Sequence, residues 1–224
     1  MNTAEHLSIE RYGGWNLLIE NIRKATGRAP VPSVTAVADE VRDPYRVLVS
    51  TIISLRTKDA VTLESSRRLF QEAPDLGSLA AMDTEQIAKL IYPAGFYRVK
   101  AAQLKTIAMK LKETGVPAER DRLLALPGVG RKTANLVLGL AFGIPAICVD
   151  VHVHRISNRL GLITTTTPEK SEMALEAILP RRYWIEINTL FVAFGQTLCK
   201  PVSPLCSRCP LADVCPQNGV ERSR

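Results

Sequence analysis

The chain has 224 residues, 46% of them hydrophobic, with a formal charge of +7 and a pI near 9.3. This is enough for one large domain or two small ones, and the excess of base suits a polyanion, most simply nucleic acid, although generic basicity gives the same number. No apolar run reaches the ~18 residues of a membrane span, and Met1–His6 lacks the basic-then-apolar pattern of a secretory leader, so a cytosolic protein with reduced cysteines is expected.

Residues 8 to 26 read as a helix, with Trp15, Leu18, Ile19 and Ile22 on one face and Gly13-Gly14 weakening its start. Gly27 to Ser33, with Pro30 and Pro32, reads as a linker. Asp43-Pro44 is an N-cap followed by a first-turn proline, and it opens the apolar helix Val47 to Leu55. Thr57 is the expected cap of the next helix, which runs to about Gln71. Asp83 with Gln86 has capping-box spacing ahead of Ile87, Leu90 and Ile91. Leu104, Ile107, Ala108 and Leu111 form another stripe, which Gly115 and Pro117 end.

Helical patterns resume at Val151 to Leu160, after Thr167-Pro168, and from Trp184 to Leu198. No alternating strand pattern and no repeat is visible. The expected fold is all-α, with about ten helices. The tail Glu221–Arg224 reads as disordered.

Two stretches carry chemistry. The first is Leu126-Pro-Gly-Val-Gly-Arg-Lys132. Pro127 stops one helix, and Gly128 and Gly130 allow positive φ and close backbone approach. Arg131 to Phe142 then has helical spacing, with Ala134, Val137, Leu138 and Ala141 on one stripe. Such a hairpin presents orphan N–H groups at the positive end of a helix, which suits a phosphate oxygen.

Lys132 sits in that first turn, where the dipole disfavours an ammonium. A free amine there can attack sugar C1′ and form a Schiff base; a lysine in this place can also simply touch phosphate. Asp150, 18 residues on, stands at the mouth of the next helix. It can stabilise an oxocarbenium-like sugar and take the lysine's proton, or act only as an N-cap.

The second stretch is Cys199, Cys206, Cys209 and Cys215, spaced C-x6-C-x2-C-x5-C among Pro201, Pro204, Pro210 and Pro216. Four thiolates in one loop can hold a [4Fe-4S] cluster or a structural zinc. The spacing leans to iron–sulfur, because zinc sites use two short knuckles and this run has one. Cys148 lies in an apolar run and reads as a core residue.

The hairpin, Val149-Asp150 and the cysteine loop together resemble the endonuclease III family, the iron–sulfur branch of the helix-hairpin-helix, Gly/Pro-Asp DNA glycosylases, over about Asp43 to Pro216. The resemblance implies two helical domains with a DNA-binding cleft between them. Residues 37–144 would form a helical barrel carrying the hairpin; residues 1–36 and 145–224 would form a discontinuous iron–sulfur domain. It implies a [4Fe-4S] cluster with a structural role, held by the four cysteines.

By the same resemblance Lys132 is the nucleophile and Asp150 the essential carboxylate. Lysine at this position implies a bifunctional glycosylase and abasic-site lyase, acting as a monomer on oxidised pyrimidines in damaged double-stranded DNA. A cytoplasmic, nucleoid-associated location is implied. Gly128 and Gly130 would meet DNA. His152 and Arg155 would face DNA or brace the site, and Lys200 and Arg208 would contact phosphates.

The sequence departs from the family pattern at two positions. Arg56 stands where the family uses a glutamine, and Phe96 where it uses a leucine, to fill the hole left by a flipped base. Val151 also replaces a residue that is often threonine. Arg56 and Phe96 motivate one alternative, an enzyme that is mainly an abasic-site lyase; a second, from another class, is a non-catalytic binder of damaged or branched DNA that uses the same hairpin.

Overall fold

A computed structural model describes residues 9–224 of the chain. Among the described residues every regular element is helical: α1 Gly14–Thr26, α2 Ser33–Glu40, α3 Pro44–Ser54, α4 Asp59–Glu72, α5 Leu76–Ala81, α6 Thr84–Ile91, α7 Tyr97–Leu111, α8 Arg120–Leu124, α9 Arg131–Phe142, α10 Val151–Arg159, α11 Pro168–Ile178 and α12 Glu186–Thr197. Two 3₁₀ turns, Arg181–Tyr183 and Cys206–Arg208, interrupt the C-terminal part. None of the described helices is long and apolar enough to cross a membrane.

The chain divides into two compact units, Pro32–Ala146 and Met1–Val31 with Ile147–Arg224. The first is built round α3. Val47, Leu48, Val49, Ile52 and Ile53 are all fully buried, which is the signature of a helix surrounded on every side. Helices α2, α4, α7 and α9 pack on it. Its buried serine and threonine hydroxyls turn back to their own helix, Ser50 Oγ donating to the Arg46 carbonyl at 2.7 Å and Thr51 Oγ1 to that of Val47 at 2.6 Å. Polar groups are thereby tolerated inside an apolar shell.

The second unit packs α12 against α1 and α10, with α11 on α10. Its core includes Leu18, Ile19, Ile22, Ile156, Phe191 and Phe194, and Cys199, Cys209 and Cys215 lie at the margin of that core.

The start signals work as chemistry dictates. Asp43 accepts the Tyr45 N–H at 3.0 Å ahead of Pro44. Asp83 and Gln86 exchange both capping-box bonds, at 2.8 and 2.9 Å. Thr167 accepts the Lys170 N–H before Pro168.

Other expectations need correction. The first helix proper begins at Gly14, because Gly13 and Gly14 both take positive φ and turn the chain there; the expected start at residue 8 lies outside the described residues. Helices α2 and α5 fall in stretches where no element was expected. Thr57 does not cap α4, since its hydroxyl is engaged elsewhere and Lys58 stands at the cap position without a side-chain bond. The tail is also ordered: the Arg224 N–H donates to the Pro204 carbonyl at 2.8 Å and the Ser207 N–H to that of Arg224 at 2.9 Å.

The central position of α3 has a measurable consequence. Leu48→Ala will destabilise the fold by about 2–5 kcal/mol in urea unfolding, because the surrounding helices cannot collapse onto the cavity. An unchanged midpoint would contradict the placement of α3 at the centre of its unit.

Candidate functional site

The hairpin is a short helix, a tight turn and a long helix. Helix α8 ends at Leu124, and Leu126 and Val129 are buried and anchor the turn from inside. The Leu126 N–H reaches back to the Leu123 carbonyl at 3.0 Å, and the Val129 N–H to that of Leu126 at 3.2 Å. The two glycines differ. Gly128 has φ +76°, a backbone conformation that favours glycine, and a Cβ there would lie 2.6 Å from the far end of the Gln103 side chain. Gly130 is extended, at φ −95° and ψ −179°. The expected positive φ is therefore absent at Gly130, and a Cβ on it would meet open space.

Helix α9 starts immediately after Gly130, with no side chain capping it. Lys132 is exposed in its first turn, whereas the stripe Ala134, Val137, Leu138 and Ala141 is buried. The helix is buried continuously from Thr133 to Gly139, and the lysine is exposed because it lies in the first turn, ahead of that stretch.

Asp150 ends an extended segment and caps α10. Its Oδ1 accepts the N–H groups of His152 at 2.8 Å and Val153 at 2.9 Å, while Oδ2 takes part in neither bond. The cap holds the carboxylate in place and leaves one oxygen for other work.

One turn further on, Arg155 points into its own unit. Its Nη2 donates to the Cys199 carbonyl at 2.8 Å and lies 3.1 Å from His152 Nδ1. Burial pulls the Arg155 pKa below its ordinary value. A Cβ on Gly195 of α12 would come within 2.3 Å of His152 Nδ1 and 2.8 Å of Arg155 Nη2. The pair therefore fills the space that this glycine leaves. His154 turns aside to Ser171 Oγ at 2.6 Å.

The sequence reading passed over Arg159, four residues beyond Arg155 on the same helix face. It is only 8% exposed. It donates to the Lys200 carbonyl at 2.6 Å and the Pro201 carbonyl at 2.7 Å, and its Nη1 lies 3.6 Å from Cys199 Sγ.

Cys199, Cys206, Cys209 and Cys215 line one pocket, closed by Arg159 and the apolar Leu198 and Leu205. Burial pushes the Cys209 thiol up to about 11, with the neighbouring cysteines adding repulsion and the Leu211 N–H working the other way. Cys215 is raised by burial too, opposed by the Gln217 N–H.

Four mutually repelling sulfurs in a greasy pocket, two of them met by backbone N–H groups, are a donor set that fits a cationic iron–sulfur core. Among the described residues no group of three or more His, Cys, Asp or Glu is placed to hold one metal ion. Lys200 is half-buried and Arg208 exposed on this loop.

Arg56 and Phe96 sit at two loop tips of the first unit, between α3 and α4 and just before α7. Both are exposed and both have positive φ, +52° and +56°. The Arg56 guanidinium lies over the Phe96 ring, 5.5 Å from its centroid.

Comparison with known proteins agrees with this geometry. Residues 49–181 match the family described as HhH-GPD superfamily base excision DNA repair protein, and residues 199–215 match the iron–sulfur binding domain of endonuclease III. The second match spans the first to the last of the four cysteines.

The chain is 47% identical over 176 residues to endonuclease III of Thermotoga maritima, covering 77% of this chain and 83% of that protein. It is 39% identical over 216 residues to endonuclease III-like protein 1 of Gallus gallus, covering 90% and 77%. A solved trapped endonuclease III–DNA covalent intermediate superposes with a TM-score of 0.81 at 32% identity, covering 97% of each chain. A solved thermostable thymine-DNA glycosylase gives 0.76 at 26% identity, covering 90% of this chain and 95% of that one.

The helical fold, the glycine hairpin and the family match define a base excision DNA repair protein of the HhH-GPD superfamily. Within it the chain belongs to the endonuclease III family: it is a DNA glycosylase and abasic-site lyase whose C-terminal loop binds a [4Fe-4S] cluster.

The grip of Arg159 on the loop is testable. Arg159→Met removes charged hydrogen bonds worth about 1.5–3 kcal/mol each, so chelator-driven loss of the cluster absorbance near ~400 nm should accelerate at least tenfold. Equal rates would show that the loop does not depend on this residue.

Proposed function

We propose that this enzyme removes oxidised pyrimidines from duplex DNA through a Schiff base on Lys132 and then cleaves the strand by β-elimination. The observation that carries the reading is the start of α9. Lys132 is exposed two residues beyond Gly130, a glycine that no internal contact requires and whose Cβ would meet open space. A backbone kept bare toward the outside, at the positive end of a helix, suits a phosphate group. Gly128 shapes the turn that presents it.

In this scheme the target base is flipped out of the stack. The Lys132 amine forms a bond to C1′ as the bond from C1′ to the base nitrogen breaks, and the base leaves with the electron pair. Asp150 takes the proton that the attacking ammonium must shed and offsets positive charge on the sugar. The sugar ring then opens, and the lysine nitrogen and C1′ become an imine. Loss of a C2′ proton expels the 3′ phosphate.

Arg56 and Phe96 fill the hole and face the orphaned base, while Lys200 and Arg208 contact phosphates. The inward bonds of His152 and Arg155 support a bracing role for that pair. Cys199, Cys206, Cys209 and Cys215 would hold the cluster, which cross-links the loop and does none of the base chemistry. One protein molecule acts per lesion, as a monomer on damaged duplex DNA.

Borohydride trapping on a thymine-glycol duplex, an abasic duplex and undamaged DNA tests the scheme. Both damaged duplexes should give a covalent adduct, and Lys132→Gln should abolish it. Asp150→Asn should slow base release by about 10²–10⁴-fold. An adduct with the abasic duplex alone would favour a narrowed lyase, with the stacked Arg56–Phe96 pair as its cause. An adduct that survives Lys132→Gln would overturn the assignment.

A further inference from the structure

The two loops that carry Arg56 and Phe96 are joined by one buried lysine. Lys100, in the first turn of α7, is only 4% exposed. Its ammonium donates to the carbonyls of Ile53 at 2.7 Å and Leu55 at 2.5 Å and to Thr57 Oγ1 at 2.9 Å. An ammonium has three donors, and all are used. The carbonyls belong to the end of α3, where helical partners run out and the dipole is negative. Burial pulls the Lys100 pKa down to about 8. A buried charge held only by carbonyl and hydroxyl dipoles is costly, so its presence asks for a reason.

The reason lies in what the lysine connects. Thr57 Oγ1 also accepts the Gly95 N–H at 3.1 Å. A Cβ on Gly95 would lie 2.4 Å from the Arg56 carbonyl oxygen, so the two loops touch backbone to backbone. Both loop tips, Arg56 and Phe96, are non-glycine residues in the left-handed region. Such conformations cost about 1–3 kcal/mol each and persist only where the surroundings over-determine them. The surroundings here are Lys100, Thr57 and Gly95. They keep two exposed side chains stacked in solvent, where each would otherwise be independently mobile.

We propose that Lys100 is a positioning residue for base excision: it locks residues 53–57 to residues 94–96 so that Arg56 and Phe96 enter the duplex as one preformed, stacked wedge. This rests on the reading that the enzyme excises a flipped base. A preformed pair loses less conformational freedom on insertion than two separate side chains. Its aromatic face can stack where the base left, and its cation can meet the acceptors of the orphaned partner. The departure at Arg56 and Phe96 then becomes a single coupled change whose geometry a third residue sets.

The experiment uses the full-length holoenzyme and a duplex with 2-aminopurine opposite a thymine glycol. In the Lys132→Gln background, which halts chemistry, binding should change the 2-aminopurine fluorescence, and adding Lys100→Met should remove most of that change while the duplex stays bound. In the active enzyme, Lys100→Met should lower kcat for base release about 10–100-fold with KM within about threefold, the pattern of lost positioning. Arg56→Ala with Phe96→Ala should give a loss of the same order, and adding Lys100→Met to that pair should cost less than about twofold more.

Gly95→Ala separates the loops without touching the lysine and should reproduce the Lys100→Met result; it carries the test if Lys100→Met fails to fold. Unchanged fluorescence and kcat in the folded variants would overturn the proposal, and so would losses that multiply independently of Arg56 and Phe96. If the unaltered enzyme releases no base, the excision reading fails, and the fluorescence arm still decides whether a wedge forms.

Discussion

Helix α10 is the constraint on which the second unit depends, because it works at both ends. Its first turn is held by Asp150, which spends one carboxylate oxygen on two backbone N–H groups. Its later turns carry Arg155 and Arg159, whose guanidinium groups take hold of the carbonyls of Cys199, Lys200 and Pro201. A loop rich in proline has few N–H groups with which to satisfy its own carbonyls. The arginines do so from outside, and the same bonds fix the loop to the helix that begins at the catalytic carboxylate proposed here. The cysteine loop and the carboxylate proposed as catalytic are thus both tied to α10.

The first unit shows a complementary economy. Gly128 is favoured by the fold, through its positive φ. Gly130 is demanded by nothing within the described residues of the protein. Two glycines that look equivalent in the motif thus have different causes, one facing inward and one outward. The outward cause is what gives an exposed lysine in the next turn its functional meaning. Lys100 is the reverse case, a charge placed inside whose effect is read outside, at Arg56 and Phe96.

Much of the fold could be read from the sequence, because local signals there agree with the global packing. Asp43-Pro44, Asp83 with Gln86 and Thr167-Pro168 each open a helix by satisfying N–H groups within four residues. Signals that tertiary contacts overrode were misread. Thr57 has the chemistry of an N-cap, but its hydroxyl serves Gly95 and Lys100. The tail looks featureless, yet Arg224 pairs with the cysteine loop through main-chain bonds that carry no side-chain signature.

At the site, the spacing of Lys132, Asp150 and the four cysteines stood out because their residue types are chemically rare in such patterns. Arg159 and Lys100 did not, because a single basic residue on a helix face reads as a solvated charge. Only burial, 8% and 4% exposed, separates them from that reading. Positioning residues of this kind are defined by carbonyls far away in sequence, and periodicity cannot locate those.

The most direct test of the central claim, that Lys132 is the amine that attacks C1′, is to map the covalent bond. The enzyme is reacted with an abasic duplex, reduced with borohydride and digested with proteases and nucleases, and the peptides are read by mass spectrometry. The account predicts the sugar-derived mass on Lys132, within the peptide that follows the Gly128-Val129-Gly130 turn. The same mass on Lys100, Lys200 or any other amine would contradict it.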